Sequence, residues 1–188
     1  DVQKALELAT ALRYYWCHGG ALAEGRRWLD RLLDASPKPT PVRADALLTA
    51  AWMALLHGDH VGADRRLCEA EELNDQLSLP LAHVQARGLR GMLALSQAEF
   101  TTAADLFREA MNRLTALNKE SETLIWLCQL AIALTQLRAP DATQVCRHAL
   151  AMAEGRGERH ARSYVLWALA FDAWGGGDTE DACNIEVA

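Results

Sequence analysis

Five segments of this chain repeat one pattern at intervals of 38 to 40 residues, and that period constrains the fold more than any single motif. Aligned on a small residue, they are GGALAEGRRWLDRLLDASP, HGDHVGADRRLCEAEEL, QAEFTTAADLFREAMNRL, RAPDATQVCRHALAMAEG and GGDTEDAC. The small residues are Gly25, Ala63, Ala103, Ala142 and Ala182, spaced 38, 40, 39 and 40 apart. Four residues beyond the first four stand Leu29, Leu67, Phe107 and Cys146, and three beyond those Leu32, Ala70, Ala110 and Ala149. Steps of four and three put these residues on one face of a helix. The small ones let a second helix approach, and the large ones fill the space beside it.

That second helix precedes each segment. Apolar residues at helical period predict helices over Ala5–Cys17, Val42–His57, Leu81–Gln97, Glu122–Gln136 and Ala161–Trp174. Composition agrees: 34 Ala and 30 Leu stand against 10 Val and Ile together, a balance that favours helices over sheets. Thr40-Pro41 reads as an N-cap followed by Pro at the first helical position. Gly19-Gly20, Gly58-Asp59 and Gly175 to Asp178 read as turns within pairs. Ser36 to Pro39, Asn74-Asp75 and Gly155 to Gly157 read as breaks between pairs. The expectation is an all-α solenoid of about five helix-turn-helix pairs, forming a single domain over 1–188 with repeats near 1–39, 40–78, 79–118, 119–157 and 158–188. The fifth lacks most of its second helix, so the chain reads as a segment of a larger protein.

The pattern resembles the tetratricopeptide (TPR) repeat, whose second helix carries a small residue, a large one four later, a small one three after that, and then Pro. Gly25, Leu29 and Pro37 match in the first repeat, Ala63, Leu67 and Ala70 in the second, and Ala103, Phe107 and Ala110 in the third. The departures are a longer period, Leu32 and Arg13 where small residues are usual, and a fourth repeat with Pro140 and no turn glycine. A narrower resemblance lies in ALELATALRYYWCHGGALAEGRRWLDRLL, residues 5–33. It is similar to the opening of the TPR region in actinobacterial STAND-type ATPase transcriptional regulators, which often end in a LuxR-type helix-turn-helix. That resemblance implies a cytoplasmic signal-transduction protein with its ATPase and DNA-binding modules outside this segment.

The residues exclude several other functions. A net charge of −6 argues against a nucleic-acid surface, which needs a basic stripe. The longest apolar run, Leu124 to Leu134, is too short to cross a bilayer, and the opening residues do not resemble a secretory signal. Five cysteines (Cys17, Cys68, Cys128, Cys146 and Cys183) make an odd set without CxxC, each within an apolar helical pattern; they predict small hydrophobes in a reducing, cytoplasmic compartment. No P-loop is present. His57-Gly-Asp-His60 reads as packing or solvation rather than a metal site, and His18, His83 and His160 each stand alone. The carboxylates Glu69, Glu71 and Glu72, and Asp178, Glu180 and Asp181, read as solvated faces. Arg26-Arg27, Arg65-Arg66 and Arg87/Arg90 read as partners in ion pairs between repeats. The expectation is no catalytic residue, no metal, no cofactor and no enzymatic activity.

Aromatic residues are the remaining candidates. The TPR resemblance places one row of first-helix residues on a concave surface. In this sequence that row is Tyr14, Trp52, Met92 and Phe171, with Ala131 or Ile132 in the fourth repeat and Trp167 and Trp174 beside it. The resemblance also argues against the TPR carboxylate clamp, because Thr10, Leu48 and Gly88 stand where its Lys is needed. The row reads either as packing between repeats or as an apolar site. Expected partners are other domains of the same protein, a protein or peptide, a small apolar or sugar inducer, or another copy of the chain. A plain association scaffold without a small-molecule ligand is the alternative.

Overall fold

The computed structural model describes residues 2–119 and 122–177, with His18 described by its backbone alone. Among them are ten helices and no strand. The helices are α1 (Val2–Ala11), α2 (Arg13–His18), α3 (Leu22–Ala35), α4 (Pro41–Leu56), α5 (His60–Leu77), α6 (Pro80–Ser96), α7 (Phe100–Ala116), α8 (Thr123–Gln136), α9 (Ala142–Arg156) and α10 (Arg159–Gly175). Contacts divide the chain into two compact units, Asp1–Ser96 and Gln97–Ala188. In the first, α3 packs on α1, α2 and α4, and α4, α5 and α6 pack on one another. In the second, α7 packs on α8, and α8, α9 and α10 pack on one another.

The small residues of the repeat sit where helices come closest. Ala63 and Ala103 have no exposed surface, Ala142 is 1% exposed and Gly25 is buried. Their companions Leu29, Leu67, Phe107 and Cys146 are likewise fully buried, as are Ala70, Ala110 and Ala149. In the first pair the approach is tighter than alanine allows. A Cβ on Gly25 would lie 2.7 Å from Cγ of Trp16. That indole is fixed by its own Nε1–H, which donates to the Ala9 carbonyl at 3.0 Å.

Local chemistry sets several helix ends. Thr40 caps α4 by accepting from the Arg43 amide at 3.2 Å, with Pro41 at the first helical position. Asp59 caps α5 by accepting from the Gly62 amide at 2.9 Å. The turns within pairs use a left-handed residue: Gly20, Gly58, Ala98, Arg138 and Gly177 all have positive φ. Glycine takes this conformation freely, whereas Ala98 and Arg138 adopt it against their Cβ. Arg138 lies four residues before Ala142, whereas Gly20, Gly58 and Ala98 lie five before their anchors. The fourth turn is one residue shorter, which explains the spacing of 39. Counted back from the turn, the fourth member of the aromatic row is Ile132, half-buried like Trp52 and Met92, rather than the fully buried Ala131.

Four boundaries differ from expectation. Asn74-Asp75 is no break, because α5 runs on to Leu77. The stop is Ser78, left-handed with φ 54, whose amide and that of Leu79 both bond back to the Asn74 carbonyl before Pro80 opens α6. The Leu79-Pro80 signal outranked the Asn-Asp pair. The first helix is interrupted at Leu12, although its amide still reaches the Leu8 carbonyl at 3.1 Å. Gly155 and Arg156 finish α9 and Gly175 finishes α10; Gly157 and Gly177 have positive φ beyond those ends. Asp178, Glu180, Asp181, Ala182 and Cys183 lie outside the described residues.

Three buried hydroxyls are satisfied within their own helices: Thr10, Thr49 and Thr135 each donate to the carbonyl four residues earlier, at 2.8 Å. Asn74 is the exception among the described residues, fully buried with neither amide atom hydrogen-bonded. Eleven residues beyond Ala103 and Ala142, Leu114 and Ala153 occupy its position as ordinary core. Asn74→Leu removes an unsatisfied amide at similar volume and is expected to stabilise the chain by about 1–3 kcal/mol. A denaturant midpoint that stays level or falls would indicate that an ordered water serves the amide. Gly25→Ala is expected to cost about 1–3 kcal/mol through overpacking against Trp16. Gly155→Ala, where a Cβ meets nothing within 4 Å, is expected to gain about 0.5 kcal/mol. Thermal melts of both glycine variants check the opposite signs.

Candidate functional site

Four arginines of the first unit reach to neighbouring helices or their caps. Arg26 on α3 pairs with Asp59 at 2.6 Å, and Asp30, one turn further along α3, pairs with Arg66 of α5. Arg43 at the start of α4 donates to the Leu33 and Ser36 carbonyls at the end of α3, each at 2.7 Å, and pairs with Glu69 of α5. It thereby satisfies carbonyls that a helix end leaves open and ties three helices together. Arg90 of α6 pairs with Asp64 and Glu71, the latter at 2.7 Å, and donates to the Cys68 sulfur at 3.2 Å. The expected ion pairs between repeats are present at Arg26, Arg66 and Arg90. Glu69 and Glu71, expected on a solvated face, are instead the anchors for Arg43 and Arg90.

Hydrogen bonds and burial tune the titrating groups. The Gly62 amide, and then Arg26, hold the Asp59 carboxyl below the usual carboxylate range. Burial pushes the Asp45 carboxyl up, against the pull of Arg13. Burial also raises the thiols, Cys17 to about 11 and Cys128 to about 12, with Cys146 raised as well. These thiols stay protonated at neutral pH and are poor nucleophiles. Cys128 and Cys146 are buried as expected of small hydrophobes, whereas Cys68 is exposed, because its position on α5 faces Arg90 rather than the core. His57 is the residue after α4 and His60 the first of α5, and no group of three or more metal-ligating side chains occurs among the described residues.

The aromatic row falls into one set per unit. In the first, Tyr14 meets Trp52 edge-on, with ring centroids 5.8 Å apart and planes at 89°. Tyr14 is 61% exposed, while Trp52 and Met92 are half-buried. In the second, Trp167 stacks on Phe171 at 5.7 Å and Phe171 meets Trp174 at 5.9 Å along α10. Ile132 packs partly against the core of this unit. Trp167 is 47% exposed, yet its counterparts ten residues before each turn, Thr10, Leu48, Gly88 and Cys128, are all buried. The face of α10 that bears Trp167 is one that each earlier first helix buries.

One surface feature was missed in the sequence. Glu24, Arg27, Trp28 and Arg31 line a shallow hollow on α3. Their offsets of three, four and seven put them on one helical face, a signal legible beforehand. Arg27, expected in an ion pair like Arg26, has no such partner among the described residues.

Solved structures identify the architecture. The TPR-like repeats of a kinesin light chain-like protein from Podospora anserina, described as nearly identical to one another, superpose with a TM-score of 0.67 at 13% identity, covering 98% of this chain and 92% of that one. A single-substitution variant of that protein gives the same values. The fold is that of TPR-like repeats. No family model and no curated protein matches the chain. Among the described residues, no helix is long and apolar enough to cross a membrane.

The low pKa of Asp59 makes a pH prediction. A carboxylate stabilised in the folded state contributes stability that is present above its unfolded pKa of about 3.9 and lost as pH falls through the folded value. Asp59→Asn keeps a capping side chain but removes the charge facing Arg26. It is expected to lower the melting temperature at neutral pH and to flatten its decline in acid. Parallel melts of both proteins from neutral to acid pH, run at low salt, measure the difference.

Proposed function

We propose that this chain is a non-catalytic interaction or ligand-sensing segment of a multidomain cytoplasmic transcriptional regulator. TPR-like repeats generally mediate protein–protein contact, which supports the interaction reading in its coarse form. The regulator context rests on the resemblance carried by Ala5 to Leu33. In this reading all 188 residues belong to one repeat array, since the anchor spacing of 40 from Ala63 to Ala103 continues the period across the unit boundary.

The observation that carries the site assignment is the Tyr14–Trp52 contact. It joins equivalent residues of two consecutive pairs while leaving Tyr14 61% exposed. An exposed aromatic edge of this kind suits an apolar peptide side chain or the face of a small inducer. Tyr14, Trp52 and Met92 are the proposed contacts in the first unit. Trp167, Phe171 and Trp174 form a second candidate set on α10. Binding regulates an ATPase and a DNA-binding module elsewhere only if the ligand prefers one of two states, because only differential affinity shifts an equilibrium.

The test is Trp52→Ala in the intact protein, with inducer-dependent ATP turnover and oligomer size as readouts. The expected result is loss of the inducer response with basal turnover retained. An unchanged response removes this row from the site. A second reading, self-association without a ligand, is favoured by the many exposed rings, including Tyr15, Trp28 and Trp174 at 58%, 48% and 60%. It predicts a mass in solution that rises with concentration, measurable by sedimentation.

A further inference from the structure

The outer face of α3 carries a second, chemically different surface. Two charges of this helix are committed inward, Arg26 to Asp59 and Asp30 to Arg66. Gly25, Leu29 and Leu33 face the core. What remains is the hollow of Glu24, Arg27, Trp28 and Arg31, about 230 Å³ in volume. Glu24 accepts from the Trp28 Nε1–H at 3.5 Å, so its carboxylate is turned to the indole. Arg27 and Arg31 have no carboxylate partner among the described residues.

The position of Trp28 is unusual within its own repeat. Three residues beyond the other anchors stand Arg66, Leu106 and Val145. Arg66 is buried on Asp30 of the preceding pair, and Leu106 and Val145 are half-buried. Among the described residues of this row only Trp28 is exposed, at 48%, and it shares the hollow with two guanidinium groups that have no carboxylate partner among the described residues. In a chain of net charge −6, this is a local excess of positive charge beside an apolar ring.

We propose that this face docks an acidic peptide segment bearing an apolar side chain. Carboxylates of the segment pair with Arg27 and Arg31, and the apolar group covers the Trp28 ring. A guanidinium presents paired donors that match a carboxylate, and desolvation beside an indole strengthens the pair. Arginines four apart on a helix stand about 6 Å from one another. Carboxylates on alternate residues of an extended peptide are about 7 Å apart. Nucleic acid fits less well, since two cations on an acidic chain neutralise few phosphates. The proposal is independent of the Tyr14–Trp52 assignment, which concerns other helices.

The experiment uses a short fluorescein-labelled peptide of Glu and Leu, titrated against the chain at low ionic strength and followed by anisotropy. The control peptide has Gln in place of Glu. The expected result is saturable binding of the Glu peptide, weakened at least tenfold by Arg27→Glu with Arg31→Glu and, separately, by Trp28→Ala. All three side chains are on the surface, so unchanged melting curves are expected and verify that the variants fold. Equal binding of the Gln peptide, or indifference to either variant, overturns the proposal. So does a concentration-dependent dimer abolished by the charge reversal, which assigns the face to a second copy of the chain.

Discussion

Everything in this architecture depends on how closely two helix backbones approach at one position per repeat. Gly25, Ala63, Ala103 and Ala142 have little or no exposed surface, because any larger side chain there would separate the helices. Once that distance is set, the residues four further on must be buried, and Leu29, Leu67, Phe107 and Cys146 are; of those seven further on, Ala70, Ala110 and Ala149 are buried and the larger Leu32 is half-buried. The first pair shows the constraint at its limit, with Trp16 filling the space over a glycine that cannot carry a Cβ. Packing of this density leaves little room for substitution at the crossing and much at the surface.

The polar groups of the first unit act at the next level. Arg26, Arg43, Arg66 and Arg90 all reach between helices, and each finds carboxylates or carbonyls. Truncating one such partner leaves the other partly desolvated and uncompensated, so they specify which helix faces which more than they add net stability. Their commitment also narrows the search for function, because a paired arginine has little left to offer a ligand. The exposed Trp28 beside Arg27 and Arg31, neither paired with a carboxylate among the described residues, stands out against that background, as does the exposed Tyr14 beside Trp52.

Legibility differed between backbone and side chains. Helix pairs, their order and their anchors were readable because periodic burial is a property of the whole pattern. Single turns were less so: Asn74-Asp75 has turn chemistry, yet Asn74 is buried inside α5 with an unsatisfied amide. Arg138 shows the converse, a left-handed turn residue with no local signal, imposed by packing on both sides of a turn one residue short. The aromatic row was legible as a set of positions but not as a surface, since exposure depends on what each helix meets.

By itself, then, the sequence determined the all-α class, the period and the small-residue crossings. Those follow from composition and spacing, which act through local geometry. Only the tertiary structure decided that Ile132 rather than Ala131 continues the row, that Arg26 finds a carboxylate where Arg27 finds none among the described residues, and that Trp28 is open where Arg66 is covered. Such outcomes depend on contacts between residues up to 36 positions apart, as between Asp30 and Arg66, and no local pattern encodes which of two adjacent side chains will make them.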